Sequence, residues 1–149
     1  MATIHLPPDF KEFLRSLSSH GVEYLVIGGY AVVYHGFTRA TGALDVWVGT
    51  DPRNAERLVA ALREFGFSVP ELSADLFRQG GRVVRMGVPP LRVEIMTTIA
   101  GLAFDECYPE RTRDVIDDVE IHLISLSHLK ANKRAVGRLK DLNDLENLP

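Results

Sequence analysis

The chain has 149 residues, a formal net charge of -3 at pH 7 and one cysteine. This length is typical of one domain with its own buried core, and we expect a single domain over residues 1–149. The slightly acidic balance excludes a global basic field of the kind that drives non-specific nucleic-acid binding. A lone cysteine excludes an internal disulfide and a cysteine-based zinc site.

The N-terminus, MATIHLPPDF, lacks the basic stretch and apolar core that mark a secretory signal. No apolar run in the sequence approaches the roughly 20 residues that a membrane-spanning helix needs. A reducing compartment also suits the lone Cys107. We therefore expect a cytoplasmic protein with no membrane partner.

The first predicted element is an amphipathic helix over residues 10–19. Apolar residues recur there at helical spacing after a pair of prolines, and Gly21 ends the run. We expect this helix to cover the core and assign it no chemistry.

The stretch Tyr24–Gly49 carries the clearest chemistry. It predicts a buried strand (Tyr24–Ile27), a glycine corner (Gly28-Gly29) and a short helix (Tyr30–His35). A polar loop with Arg39 and Thr41 follows, and then a second strand that carries Asp45. Backbone N–H groups at such a corner can face an anion, and an acidic side chain on the next strand can hold a divalent cation. Glycines between a strand and a helix can equally be turn residues, so both interpretations stand on the pattern alone.

Alternation divides the second strand between two faces. Leu44, Val46 and Val48 are expected to point into the core, and Asp45 and Trp47 share the opposite face. Trp47 is then either a structural side chain or a surface on which a base stacks.

The rest of the chain predicts short alternating elements without a repeat or a long linker. They are a helix from Asp51-Pro52 to Gly66, a short helix Ser73–Gln79, a strand Arg82–Met86, a turn at Val88-Pro89-Pro90, a strand Leu91–Met96, two strands within Thr112–Ile124 around Asp117-Asp118, a helix capped by Ser125 or Ser127, and a final helix Asp141–Leu148.

Glu94 lies in the middle of a predicted strand, on the face away from Leu91, Val93 and Ile95. A carboxylate at such a position needs a partner or a metal, because buried charges are rarely left alone. The alternatives are an ion pair with a neighbouring arginine, Arg92 or Arg85, and an edge strand that faces solvent.

Basic residues concentrate near the C-terminus of an otherwise slightly acidic chain. They are Lys130, Lys133, Arg134, Arg138 and Lys140. Charges of this kind complement the β- and γ-phosphates of a nucleotide. A solvated basic face and a patch that recruits RNA are the competing interpretations.

Taken together, these motifs resemble the minimal, polymerase-beta-like nucleotidyltransferase fold, in particular small bacterial proteins related to the AbiEii toxins. The matching residues are Gly28-Gly29, Arg39-Ala40-Thr41, Ala43-Leu44-Asp45, Glu94, Asn132-Lys133, Gly137-Arg138, Lys140-Asp141 and Asp144, so that the resemblance covers roughly residues 22–148. It implies an α+β fold with a mixed central sheet flanked by helices.

The resemblance also implies a function. It would be the transfer of a nucleoside monophosphate from a nucleoside triphosphate to a hydroxyl group of RNA, protein or a small molecule, with two Mg²⁺ ions as cofactors. Asp45 and Glu94 would hold metal, and the phosphates would be bound by Gly28, Gly29, Arg39, Thr41, Lys133, Arg138 and Lys140. An antitoxin would be the protein partner.

Ala43 departs from the pattern, because the family carries its first metal-binding aspartate at this place. Side chains two apart on a strand point to one face, so two carboxylates there can grip the same metals. The loss of one predicts weak or absent turnover. Either the natural protein has an aspartate here and Ala43 is a deliberate inactivating substitution that traps a bound state, which we favour, or the lineage is degenerate and binds a nucleotide or a partner without catalysis.

Overall fold

The computed structural model describes residues 4–88 and 90–149, and within these residues six strands form one mixed sheet in the order β3-β4-β2-β1-β6-β5. The strands are β1 (Tyr24–Ile27), β2 (Leu44–Val48), β3 (Val83–Met86), β4 (Val93–Met96), β5 (Thr112–Ile116) and β6 (Val119–Leu123). The helices are α1 (Pro8–Ser19), α2 (Gly28–Tyr34), α3 (Pro52–Phe65), α4 (Phe104–Cys107), α5 (Leu126–Val136) and α6 (Leu139–Asn147), with short 3-10 turns at Ala74–Phe77 and Tyr108–Glu110. The expected α+β class with a mixed, helix-flanked sheet is confirmed.

The centre of the sheet is built from β1, β2 and β4. β1 and β2 are antiparallel, and β2 and β4 are parallel. A crossover of more than forty residues that includes α3 separates β2 from β4, as a parallel pair requires. The start of β2 therefore lies between the C-terminal end of β1 on one side and the start of β4 on the other.

The two faces of the sheet have separate apolar clusters. Leu44, Val46 and Val48 join the larger cluster, which α1 and α3 cover. Trp47 joins the smaller cluster on the opposite face, together with residues of α2 and α5. The predicted division of β2 between two faces is confirmed, and Trp47 is buried rather than presented to solvent.

The predicted boundaries of α3 and α5 are confirmed at their caps. Asp51 accepts a hydrogen bond from the backbone N–H of Asn54 at the start of α3, and Ser125 accepts one from His128 at the start of α5. Gly66 and Gly137 end these helices in the left-handed conformation, at φ 111° and 70°. No helix in the described part of the chain is long and apolar enough to cross a membrane.

Some predicted elements differ from the structure, and two predicted features include residues outside the described part of the chain. α2 begins at Gly28 rather than at Tyr30, so the glycines form the first helical residues. The predicted helix Ser73–Gln79 contracts to the 3-10 turn, in which only Phe77 is buried and too little apolar surface packs to hold a longer helix. Pro89, which belongs to the predicted turn at Val88-Pro89-Pro90, lies outside the described residues. Residues 1–3, which belong to the N-terminus predicted to carry no signal, lie outside them as well.

Candidate active site

Asp45 and Glu94 lie side by side at the centre of the sheet. They are directly paired residues of the parallel strands β2 and β4. Their carboxyl groups are close enough to share a hydrogen bond. The expected proximity of the two acids is therefore present, while their role as metal ligands stays a prediction.

The environment of Asp45 disfavours a free carboxylate. Burial, followed by the negative charge of Glu94 and the hydrogen bond between the two groups, raises the pKa of Asp45 to about 7, and the charges of Lys140 and Lys133 oppose this rise. Oδ1 of Asp45 is buried and has no hydrogen-bond partner among the described residues. A shared proton or a cation would satisfy this oxygen.

The glycine corner lets two functional side chains approach the backbone. A Cβ on Gly28 would lie 2.2 Å from Oδ2 of Asp45, and Gly28 has a φ of +65°, which favours glycine. A Cβ on Gly29 would lie 2.0 Å from Oγ1 of Thr41. Any side chain at either position would therefore displace Asp45 or Thr41.

A polar cavity of about 220 Å³ opens beside the two acids. It is lined by Gly29, Arg39, Ala40, Thr41, Gly42, Ala43, Asp45, Glu94 and Lys140. Lys140 is exposed, and within residues 4–88 and 90–149 its ammonium group makes no ion pair. Its positive charge lowers the pKa of Asp45, so it acts on the carboxylate from the wall of this cavity.

The other predicted phosphate-binding cations form an ion-pair network with two buried aspartates of α6. Arg39 donates two hydrogen bonds to Asp144, at 2.7 and 2.9 Å. The ammonium group of Lys133 lies 3.0 Å from Asp144 and 3.2 Å from Asp141, and Arg138 donates to Asp141 at 2.6 Å. These three cations therefore have partners within the protein, and their predicted phosphate contacts stay untested.

Sequence reasoning placed Asp141 and Asp144 in a motif but gave them no role. Burial alone would raise the pKa of each group, but hydrogen bonds from Arg138 and Lys133, or from Arg39 and Lys133, hold both pKa values below the usual range. A spacing of three residues on one helix was the available signal. α6 thereby fixes the loop that carries Arg39.

Glu94 also forms the ion pair that was the alternative interpretation. Its Oε1 lies 2.6 Å from Nε of Arg85, whose side chain is 63% exposed. An exposed arginine contributes little binding energy and can leave without breaking the core. This ion pair and a ligand role for Glu94 are therefore compatible.

The residues fit one magnesium ion better than two. No group of three His, Cys, Asp or Glu side chains among the described residues is arranged to hold a metal. Mg²⁺ is usually held by one or two carboxylates together with substrate phosphates, and Asp45 and Glu94 could supply the carboxylates. A ligand for a second ion would stand at Ala43, which lines the same cavity without an oxygen to offer.

Comparisons with known proteins identify the fold. No protein-family model matches the sequence, and no curated protein is significantly similar to it. The structure is similar to the crystal structure of the putative nucleotidyltransferase TM1012 from Thermotoga maritima, with a TM-score of 0.61 and 16% identity over 92% of this chain and 88% of that chain. The chain thus has a nucleotidyltransferase-like fold, and its narrower likeness to AbiEii-type proteins stays a prediction.

Proposed function

We propose that the chain binds a nucleoside triphosphate with Mg²⁺ and transfers its nucleoside monophosphate to a hydroxyl group. The observation that carries this proposal is the pairing of Asp45 and Glu94 beside the polar cavity that Lys140 lines. Two acids at the centre of a sheet, one with an unsatisfied buried oxygen, are costly for folding and therefore call for a functional reason.

The polar cavity is the proposed site of the triphosphate. Lys140 supplies a positive charge and makes no ion pair with a carboxylate of the described residues. Thr41 and the backbone at Gly29 also line this cavity and offer hydrogen-bond donors. Arg39 lines the cavity as well and is held by Asp144.

Asp45 and Glu94 are the proposed ligands of the metal. Bound magnesium would supply positive charge to the phosphates in the transition state. The protein's own contribution is to hold the triphosphate and the acceptor hydroxyl in line, because positioning provides much of the rate enhancement in such reactions.

Ala43 makes slow turnover part of the proposal. Loss of a group that merely supports a metal ligand typically costs about 10- to 100-fold, so loss of a ligand should cost at least as much. The second candidate is a nucleotide- or partner-binding module without catalysis, in a toxin-antitoxin pair with an antitoxin as partner. The missing carboxylate at Ala43 favours it.

Pyrophosphate release separates the two candidates. Each of the four ribonucleoside triphosphates is incubated with Mg²⁺, with bulk tRNA and the protein's own hydroxyl groups as acceptors. We expect slow release by the chain with Ala43 and at least about tenfold faster release by Ala43→Asp. Ala43→Asn, which adds the same volume without the charge, should not accelerate the release. Absence of release from both the chain with Ala43 and Ala43→Asp would contradict the enzymatic proposal.

A further inference from the structure

Arg85 lies in one row with the two acids of the candidate active site. It is directly paired with Glu94 across the antiparallel strands β3 and β4, and Glu94 is directly paired with Asp45 across β4 and β2. Directly paired residues of neighbouring strands project from the same face of a sheet. One cation and two carboxylates therefore lie side by side on three adjacent strands, with Glu94 in the middle.

Arg85 is the mobile end of this row. It belongs to β3, which is an edge strand, and its side chain is 63% exposed, whereas that of Glu94 is 20% exposed. Within residues 4–88 and 90–149 its guanidinium has no partner besides Glu94. An exposed arginine held by one ion pair can leave its partner at a small cost in free energy. The side chain of Arg85 can therefore move without disturbing the core.

The guanidinium of Arg85 is one carboxylate away from the polar cavity. Its Nε donates to Oε1 of Glu94 at 2.6 Å, and Glu94 itself forms part of the cavity wall, together with Asp45 and Lys140. A ligand that fills the cavity as far as the carboxylate of Glu94 therefore comes within reach of Arg85 after a rotation of its side chain.

Arg85 and a metal ion compete for Glu94. Arg85 binds Oε1 through a charge-assisted hydrogen bond, and a Mg²⁺ ion held by Asp45 and Glu94 would need an oxygen of the same carboxylate. Two cations beside one carboxylate also repel each other. Since coupling between two binding events is reciprocal, Arg85 weakens metal binding by the same factor by which metal weakens the contact between Arg85 and Glu94.

An arginine released at this place suits a triphosphate. Guanidinium groups bind phosphate oxygens through two parallel hydrogen bonds. Of the basic side chains that line the cavity, Arg39 is held by Asp144, and Lys140 makes no ion pair within the described part of the chain. The site therefore has one unpaired cation for several phosphate charges, and Arg85 would be a second.

We propose that Arg85 is a further nucleotide-binding residue that Glu94 holds while no nucleotide is bound. When a nucleoside triphosphate binds together with its metal ion, Arg85 leaves Glu94 and donates hydrogen bonds to the phosphates. The inference rests on the nucleotide binding of the proposed function and does not require turnover. It makes Arg85 a barrier to metal alone and an aid to metal with nucleotide.

The first test measures metal without nucleotide. Mn²⁺ is the probe, and the electron paramagnetic resonance of free Mn²⁺ reports how much is bound. Arg85→Gln should bind Mn²⁺ about two- to fivefold more tightly than the unsubstituted chain, because an exposed ion pair is worth up to about 1 kcal/mol. Arg85→Lys keeps a cation beside Glu94 and should change the affinity by less than about twofold.

The second test measures nucleotide with metal. Calorimetric titration of ATP in the presence of Mg²⁺ should show about threefold or more weaker binding by Arg85→Gln, because the lost hydrogen bonds to charged phosphates outweigh the easier metal binding. Arg85→Lys should recover part of the affinity.

Arg82→Gln is the matched control for both tests. Arg82 precedes β3 at the same edge of the sheet, and its guanidinium donates to Gln79 instead of a carboxylate of the site. The substitution removes the same charge, so it should leave both affinities unchanged unless the effect of Arg85 is one of net charge alone. Urea unfolding verifies that each variant is folded.

Four results would overturn the inference. They are Mn²⁺ affinity that does not rise in Arg85→Gln, ATP affinity that does not fall in it, equal shifts in Arg82→Gln, and absence of Mn²⁺ binding by both the unsubstituted chain and Arg85→Gln. The proposed transfer is judged separately, by pyrophosphate release. Release together with unchanged affinities in Arg85→Gln would contradict only the role of Arg85. The two opposite shifts without release by any variant would support Arg85 as a nucleotide-binding residue and contradict the transfer.

Discussion

Asp45 on β2 and Glu94 on β4 are directly paired across two parallel strands, where burial and the charge of Glu94 raise the pKa of Asp45 to about 7. The pair costs folding free energy whenever both groups are ionised, because like charges at this distance repel in a partly desolvated environment. The sheet keeps this unfavourable pair at the point where it adjoins the polar cavity and the glycine corner.

Asp45→Asn should stabilise the metal-free protein at alkaline pH. A carboxyl group whose pKa is raised on folding stabilises the protein when the pH is below the pKa of the unfolded state. This contribution is lost as the pH rises through the pKa of the folded state, which is about 7 for Asp45. The free energy of unfolding of the variant, relative to that of the unsubstituted chain, should increase between pH 5 and pH 8.5 by on the order of 2 kcal/mol or more, since one pKa unit corresponds to about 1.4 kcal/mol. Urea unfolding in the presence of a chelator measures it. An equal difference at both pH values would show that the pKa of Asp45 is not raised.

Lys140→Met should weaken nucleotide binding with little effect on stability, whereas Lys133→Met should destabilise the protein. Lys140 is exposed without an ion pair within the described residues, so its loss should change the free energy of unfolding by less than about 0.5 kcal/mol and weaken nucleotide binding about tenfold. Lys133 is buried between two aspartates, so its loss should cost about 3–5 kcal/mol. Urea unfolding and calorimetric titration of ATP with Mg²⁺ measure both quantities. Unchanged affinity in Lys140→Met would remove it from the phosphate site.

Gly28→Ala should lower both stability and nucleotide affinity. The positive φ of Gly28 costs a residue with a Cβ about 1–2 kcal/mol, and the new methyl group would overlap Oδ2 of Asp45. Gly81→Ala is the matched control, because Gly81 has a similar φ of +76° and a Cβ there meets no heavy atom within 4 Å. Thermal unfolding and ATP titration should distinguish the two variants, and equal behaviour would argue against close contact between Gly28 and Asp45.

Asp144→Asn should destabilise the protein by about 3–5 kcal/mol, because it leaves Arg39 and Lys133 with one partner fewer in a buried network. The pKa of Asp144 is lowered on folding. The ionised carboxylate therefore stabilises the protein when the pH is above the usual pKa of an aspartate, and this stabilisation is lost as the pH falls through the lowered pKa. The difference in the free energy of urea unfolding between the variant and the unsubstituted chain should therefore shrink under acid conditions. The control is Asp75→Asn, whose exposed ion pair with Arg78 should contribute less than about 1 kcal/mol.

Local signals in the sequence were enough to predict most of the fold. Cap and stop residues placed α3 and α5, and alternation placed Asp45 and Trp47 on one face and the core residues of β2 on the other. These features depend on neighbours along the chain. The pairing of Asp45 with Glu94 is a long-range contact, and it was expected through the resemblance rather than from periodicity.

The ion-pair network could not be predicted from local patterns. In α6 the aspartates are buried and Leu139 is 87% exposed, the reverse of what hydrophobicity favours. Tertiary contacts explain this inversion, because Asp144 faces Arg39, which lies more than a hundred residues earlier in the chain.

Calorimetric titration of ATP with and without Mg²⁺ shows whether Asp45 and Glu94 hold a metal ion together with a nucleotide, when the unsubstituted chain is compared with Asp45→Asn and Glu94→Gln. We expect the unsubstituted chain to bind ATP at least about tenfold more tightly with Mg²⁺, and either substitution to remove this dependence, because the paired carboxylates hold the ion. Binding that is equally tight without Mg²⁺, or a dependence that survives both substitutions, would contradict a metal–nucleotide site at Asp45 and Glu94.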